Sequence, residues 1–391
     1  MKRGTMVSET SRFKELSIHG FRRLHDVRLP LRPLSVMIGA NGTGKTSVLD
    51  VLFLLANSAQ GKLSESIADL GGLASVLTYD RAQELSLGIS MAVPHHEPLE
   101  YTLSLKLQGV AYLISEEKLS QQRLRNPPPF RHIDSHGPDI KYFEVDQKNL
   151  VRPNWEYKPL ETSLSQVPKM FQEPEDFRNR LSSSTFYHVL NVDPRSPVRL
   201  PQPMRPATLP GRNGEELVSC LFNLRETERS RFEAIEDALQ AAFPRFERLD
   251  FPPVAAGTLA LAWRETGFSQ PLYMHQLSEG TLRFLWLATL LQSPGLTALT
   301  LLDEPEVSLH PELLNLLADL LREASNRTQL IVATHSDRLI RFLQPKEIVL
   351  IDSNEEGMST LTWADELDLD KWLKDYSLDE LWSNGRLGAR P

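Results

Sequence analysis

Four short stretches carry residues whose types and spacing suit chemistry on phosphate groups. The first, Gly39-Ala40-Asn41-Gly42-Thr43-Gly44-Lys45-Thr46, is a full match to G-x-x-x-x-G-K-[ST]. Successive backbone N–H groups in such a loop form an anion nest, and the positive end of the following helix adds to it. Glycines at 39, 42 and 44 let the backbone approach phosphate oxygens with no side chain between. Asn41, Thr43 and Ser47 are counted with this cradle, Lys45 neutralises charge on the β- and γ-phosphates, and Thr46 offers a hydroxyl to Mg²⁺. The second stretch is Leu299-Thr300-Leu301-Leu302-Asp303-Glu304, a buried strand that delivers two carboxylates at its end. There Asp303 is expected to hold Mg²⁺, usually through water, and Glu304 to orient and polarise an attacking water.

The third stretch is Leu277-Ser278-Glu279-Gly280-Thr281, ahead of a strongly helical run. Ser278 is a natural N-cap, and a serine and a glycine (Gly280) at a helix mouth make a second anion-binding position, with Glu279 between them counted among the nucleotide-binding residues. The fourth is Thr334-His335-Ser336, at the end of an apolar strand, where His335 can sense a γ-phosphate. Lys45, Glu304 and His335 are thus the candidate catalytic side chains, and Thr46 and Asp303 the candidate metal ligands.

These residues need elements to position them. An apolar run, Leu34 to Ile38, leads into the glycine loop, and apolar Val48, Leu49, Leu52, Phe53, Leu55 and Ala56 follow at helical spacing. Pro305 ends the acidic strand and Pro311 opens a helix over Glu312 to Ala324. Gln329 to Ala333 and Glu347 to Asp352 read as further strands. Upstream, Phe13 to Gly20 and Leu24 to Leu29 read as strands joined by a turn with Arg22 and Arg23. The local basic character there (Lys14, Arg22, Arg23, Arg28, Arg32) fits either a solvated face or a base or nucleic-acid contact. Residues 84–93 and 99–107 read as a hairpin turning through Pro94-His95-His96-Glu97-Pro98, with another strand over Val110 to Ser115. Adjacent histidines in a polar turn, without a third ligand, do not make a metal site. Residues 122–214 read as long loops rich in proline, interrupted by a buried strand over Ser184 to Val192. Helices are expected over Glu215 to Asn223 and Thr227 to Ala242. Neither a solenoid repeat nor a sustained heptad run is present.

The whole chain of 391 residues has 41% hydrophobic and 24% charged residues and a net charge of −8. That balance is ordinary for a globular protein and provides no global basic field for nucleic acid. The lone Cys220 excludes an intrachain disulfide and lies among apolar neighbours as a core residue. The start, Met1-Lys2-Arg3-Gly4, lacks the apolar segment of a signal peptide, and no run is long enough to span a bilayer. A cytoplasmic location without membrane partners is the expectation.

Taken in order, GANGTGKT at 39–46, LSEGT at 277–281, LLDEPE at 301–306, SLHP at 308–311 and THS at 334–336 resemble the ABC-type ATPases of the RecF, SMC and OLD-like class. The stand-alone AAA family ATPases of the AAA_21 type are the nearest likeness, and Trp372-Leu373 with Leu381 through Gly388 resemble that group's ending. The resemblance implies an α/β P-loop NTPase fold. It would be an ABC-type ATPase head with an N-terminal antiparallel β subdomain, an inserted middle region and no long coiled coil. The implied divisions are 1–115 with the Walker A loop, 116–183 as insertion, 184–352 with signature, Walker B and switch histidine, and 353–391 as a helical tail.

The resemblance further implies ATP and Mg²⁺ as cofactors and a homodimer that closes on two shared nucleotides, with higher assembly left open. Ser278 and Gly280 would reach the partner's γ-phosphate, and the SLHP turn would lie at the seam. The transporter sequence LSGGQ is LSEGT here, and no Q-loop glutamine can be assigned beyond Gln202 or the 193–199 loop as candidates. The chain ends about forty residues after its last expected strand, which leaves no room for a TOPRIM nuclease. The expectation is therefore a slow, regulated ATPase in antiphage (antiviral) defence or DNA maintenance. A separate nuclease or toxin would be its effector. The alternative is a RecF-like clamp for which DNA is the partner.

Overall fold

The computed structural model describes residues 11–109, 111–122, 128–144, 146–168, 172–367 and 376–385. The chain divides into two compact units, the first made of residues 1–32, 39–185 and 349–362, the second of 33–38, 186–348 and 363–391.

The first unit is built on an eight-stranded antiparallel sheet. Its strands are β1 (Phe13–Phe21), β2 (Leu24–Pro30), β4 (Glu84–Val93), β5 (His96–Gln108), β6 (Ala111–Gln121), β7 (Phe130–His136), β8 (Tyr142–Glu144) and β9 (Asn149–Val151), in the order β2-β1-β4-β5-β6-β7-β8-β9. Alternation drives it: Leu85, Leu87, Ile89 and Met91 are buried on one face of β4, opposite Leu99, Tyr101, Leu103 and Leu105 of β5. The β4–β5 turn is tighter than the five residues expected. It needs only Pro94 and His95, because His95 takes a positive φ of 64°. The reading of 122–214 as long loops gives way over its first part: Leu119, Ile133 and Tyr142 are buried in successive strands, so the sheet continues past 122 despite the prolines.

Helix α1 (Lys45–Ala59) leaves the glycine loop with Val48, Leu49, Val51, Leu52, Leu54 and Leu55 all buried, more of its circumference than a single face. Gly61, at φ 74°, stops it, and the Gly61 and Lys62 N–H groups return to Ser58 and Asn57 carbonyls. Short helices α2 (Leu63–Asp69) and α3 (Leu73–Val76) follow. Later α4 (Ser163–Gln166) and α5 (Gln172–Ser182) return to α1: the Thr162 hydroxyl donates to Ser58 O at 2.7 Å, and Phe177 packs edge-on against Phe13 at 5.9 Å.

Two carboxylates fix that return. Glu117 is fully buried and accepts the Tyr101 hydroxyl at 2.9 Å, the Leu164 N–H at 2.8 Å and the Ser163 N–H. Desolvation nevertheless raises its pKa, with those hydrogen bonds opposing. Glu161 accepts the N–H groups of Leu63 at 2.7 Å and Ser64 at 3.2 Å, satisfying the open start of α2.

The second unit holds a parallel core, beside two small antiparallel sheets made of β11 (Gln202–Pro203), β13 (Pro253–Ala255) and β14 (Thr258–Leu259), and of β12 (Phe246–Asp250), β15 (Ala262–Glu265) and β16 (Leu272–Tyr273). Strands β17 (Leu299–Asp303), β18 (Gln329–Thr334) and β3 (Leu34–Ile38) pair in that order, with β10 (Thr185–Tyr187) on the far side of β17. Asp303 registers with Ala333 and Thr334 with Ile38, so the three strands end level. Helices α6 (Leu217–Thr227), α7 (Arg229–Ala242), α8 (Glu279–Gln292) and α9 (Leu313–Ser325) cover it, α9 packing on β18 and β3. Cys220 on α6 is buried, and burial pushes its thiol up to about 11. The strand expected over 184–192 survives only as β10. Beyond it His188 and Val189 are exposed, and an Asn191 side-chain turn onto the Asp193 N–H at 2.9 Å breaks the extension.

Among the described residues the longest helix has 15 residues, and no helix is long and apolar enough to cross a membrane. Met1 to Gly4, Val110, Trp372, Leu373 and 386–388 lie outside the described residues. Replacing Glu117 by Ala would orphan buried N–H donors. We expect a loss of about 2–3 kcal/mol in chemical denaturation, with Glu117→Gln losing less because it retains one acceptor.

Candidate nucleotide site

In the first unit the glycine loop is shaped by its own residues and by those packed behind it. Gly42 and Gly44 take φ of 77° and 110°, which side chains resist. A Cβ at Gly39 would lie 2.2 Å from Ile351 O and 2.8 Å from Thr43 Oγ1. The Lys45 side chain is buried, and its Nζ folds back to donate to Gly39 O at 2.6 Å and Ala40 O at 2.8 Å. The ammonium is thereby held across the loop's own mouth. Asn41 and Thr46 are exposed, Thr43 is buried and donates its hydroxyl to Ala40 O at 2.9 Å. The Ser359 hydroxyl donates to Thr43 O at 2.6 Å and braces the loop from behind.

Ser47 is buried and accepts from Arg22 Nη1 at 3.2 Å, while the same nitrogen pairs with Asp50 at 2.6 Å. Arg22 has a φ of 47° at the β1–β2 turn and lies over the Phe21 ring at 5.0 Å. The turn that the sequence marked as basic thus fastens onto the first turns of α1.

In the second unit, Glu304 N–H donates to Ala333 O at 2.8 Å, extending the β17–β18 ladder by one residue. The backbone then turns through a φ of 49° at Glu304, a strained position for a side chain-bearing residue. That turn directs Glu304 Oε1 to within 3.0 Å of His335 Nε2, at the end of β18. Both side chains are only about two-thirds covered, at 35% and 39% exposure, so the pair faces solvent.

Two residues away, Glu306 accepts the Thr334 hydroxyl, and Thr334 Oγ1 in turn accepts Ser336 N–H at 2.9 Å. This network locks the backbone on both sides of His335. Burial raises the Glu306 pKa against the opposing Thr334 hydrogen bond, the charge of Glu304 adds to the rise, and among the described residues its second oxygen is buried without a hydrogen-bond partner. Sequence reasoning quoted Glu306 without giving it a task; its signal was a second acid behind a proline.

The LSEGT segment begins α8. Ser278 caps it, its Oγ accepting Thr281 N–H at 3.1 Å, and Ser278 and Glu279 are exposed. From the same helix Arg283 donates to Ser308 Oγ at 2.9 Å and Val307 O at 3.2 Å. A Cβ at Gly280 would meet Ser308 O at 2.8 Å, and Ser308 itself has a φ of 63°. The start of α8 and the SLHP turn are therefore tied to each other within one chain.

The Q-loop candidates fare differently. Gln202 is buried with its amide donating to Gly214 O at 2.6 Å and accepting Val218 N–H at 3.0 Å, so its side chain is fully occupied. Arg199 donates to Val192 O at 2.6 Å and Leu277 O at 3.0 Å, bracing the segment before Ser278. Neither reaches toward Asp303. His188 does, its Nδ1 lying 3.8 Å from Asp303 Oδ2.

In the second unit Asp303 offers a carboxylate oxygen of the kind a hard cation takes, and in the first unit Thr46 offers an exposed hydroxyl. Among the described residues no group of three or more His, Cys, Asp or Glu forms a cage. Mg²⁺ is commonly held by one or two protein oxygens, with substrate phosphates supplying the rest.

Comparison with known proteins follows the same lines. Residues 34–341 match the family model AAA_21, "AAA domain, putative AbiEii toxin, Type IV TA system". A stretch of 59 residues is 44% identical to the DNA replication and repair protein RecF of Xanthomonas euvesicatoria pv. vesicatoria (strain 85-10); it spans 14% of this chain and 16% of that one. The fold is similar to the SMC head bound to the C-terminal winged-helix domain of ScpA, at 16% identity and a TM-score of 0.54, covering 90% of this chain and 97% of that one. It is similar too to the Pyrococcus furiosus SMC head with an extended coiled coil, bound to the C-terminal domain of ScpA. There identity is 16%, the TM-score 0.52 and the coverage 93% and 98%.

Glu306 yields a pH test. As pH rises, the unfolded state releases this proton first, near 4.5, and the folded state later, so wild-type stability declines across that window. Glu306→Gln keeps an acceptor for Thr334 and has no proton to lose. Its melting temperature should gain on wild type from pH 4 to pH 7, and an equal offset at both pH values would refute the account.

Proposed function

Because the chain belongs to the AAA_21 family and has the fold of ABC-type ATPases of the RecF and SMC class, we propose that it is a dimeric switch run by ATP binding and hydrolysis. Its role in this reading is antiphage defence or DNA maintenance, with the output supplied by a separate nuclease or toxin. The observation that carries the proposal is the Glu304–His335 pair, 3.0 Å apart where buried parallel strands end level. The strand β3 ends level with them and continues directly into Gly39. The ATPase head in this reading comprises residues 1–115 and 184–352.

The chain's own groups divide the work. The glycine loop and Lys45 bind the β- and γ-phosphates. Thr46 and Asp303 would hold a divalent cation, which would supply charge neutralisation at the phosphates. Glu304 accepts a proton from the water whose oxygen attacks the γ-phosphorus, and ADP departs with the bridging oxygen. His335 orients Glu304 and donates toward the γ-phosphate. The capped mouth of α8, with exposed Ser278 and Glu279, supports a role in closing on a second copy's nucleotide.

A RecF-like clamp is the second reading, favoured by the local identity to RecF. Binding to DNA that requires ATP and weakens steeply with salt would select it. Nuclease activity intrinsic to the purified chain, abolished by changing an acid outside the nucleotide site, would defeat the proposal of a separate effector.

Three substitutions test the switch. Lys45→Ala should abolish ATP binding in equilibrium titration. Glu304→Gln should bind ATP, lower turnover by about 100-fold or more and accumulate dimer in sedimentation; unchanged turnover excludes Glu304 as the base. Ser278→Arg should leave monomer binding intact while preventing ATP-dependent dimer formation.

A further inference from the structure

Asp303 has a neighbour that the expected ligand set does not contain. His188 follows β10, the strand beside β17, and its Nδ1 lies 3.8 Å from Asp303 Oδ2. At that separation the two groups do not hydrogen-bond to each other. Two donors bound to one cation at about 2.1 Å stand roughly 3–4 Å apart, which is the spacing seen. The His188 ring rests on Phe186 with centroids 4.1 Å apart, so it is oriented by a buried aromatic. Its side chain is still 65% exposed and can be reached by a ligand. The alternatives for this position are spent: the Gln202 amide is buried in backbone hydrogen bonds, and Arg199 braces the approach to α8.

We propose that His188 donates an imidazole nitrogen to the divalent cation that accompanies the nucleotide, sharing it with Asp303. The inference rests on the nucleotide-site reading given above and goes beyond it by naming a nitrogen ligand. Nitrogen donors favour later first-row metals far more than they favour Mg²⁺. The site therefore discriminates among cations in a way that an all-oxygen site does not. Co²⁺ gains over Mg²⁺ in supporting nucleotide binding, and the gain belongs to His188.

The test uses the full chain with a non-hydrolysable ATP analogue and Mn²⁺ as the spectroscopic probe. The protein is labelled with ¹⁵N-histidine, so nitrogens of the nucleotide base are distinguished from the protein's. Electron spin-echo spectra of the bound Mn²⁺ should show ¹⁵N coupling, and His188→Gln should lose it while still binding the analogue. In parallel, the ratio of analogue affinity with Co²⁺ to that with Mg²⁺ should fall on the order of tenfold in both His188→Gln and His188→Ala. Normal analogue and Mn²⁺ binding without ¹⁵N coupling overturns the assignment, as does coupling that persists in His188→Gln. Failure of Mn²⁺ to bind with the analogue at all removes the nucleotide-site reading together with this inference, and is recognised separately because the coupling measurement then has no bound ion.

Discussion

Buried parallel strands accept charged side chains only where they stop, and that constraint arranges the second unit. Leu299, Leu301, Leu302 and Leu330 to Val332 are all but inaccessible, and a carboxylate among them would bear a large desolvation cost. Asp303, Glu304 and His335 therefore occupy the first positions past the apolar runs. The ladder makes one more hydrogen bond at Glu304 before the backbone turns into a strained conformation. Strain of this kind persists only when surroundings impose it. Here they do, through the Glu306–Thr334–Ser336 network behind the histidine.

Carboxylates do two different jobs in this chain, and burial separates them. Glu117 and Glu161 meet backbone N–H groups inside the first unit and hold residues 161–164 against α1 and α2. Glu304 stays about one-third exposed, with its Oε1 3.0 Å from the His335 imidazole. Glu306 lies between these cases: it is buried with one oxygen satisfied and one not, and it acts on its neighbours by fixing their backbone.

The parts legible in the sequence were those encoded by local spacing. GANGTGKT, LSEGT and LLDEPE announced their strand, turn and helix contexts, and Ser278 was readable as a cap. The eight-stranded sheet was legible only to its middle. From 122 onward its strands are short and broken by turns, and their partners are set by tertiary pairing, which periodicity does not report. His188 was hidden for a related reason. It was assigned to the interior of a strand that in fact stops at Tyr187, and its approach to Asp303 depends on which strand lies beside β17. Gln202 erred in the other direction: its residue type suited the role, but its amide is consumed by the backbone.

The close approach of Gly280 to Ser308 has a genetic consequence. In the proposed dimer, a side chain at 280 would press on its own chain's SLHP turn, 2.8 Å away, while facing the neighbour's nucleotide. Such an allele would disturb two segments of its own chain at once, the start of α8 and the SLHP turn that Arg283 ties to it. An allele altering only the exposed Ser278 hydroxyl would leave that turn in place.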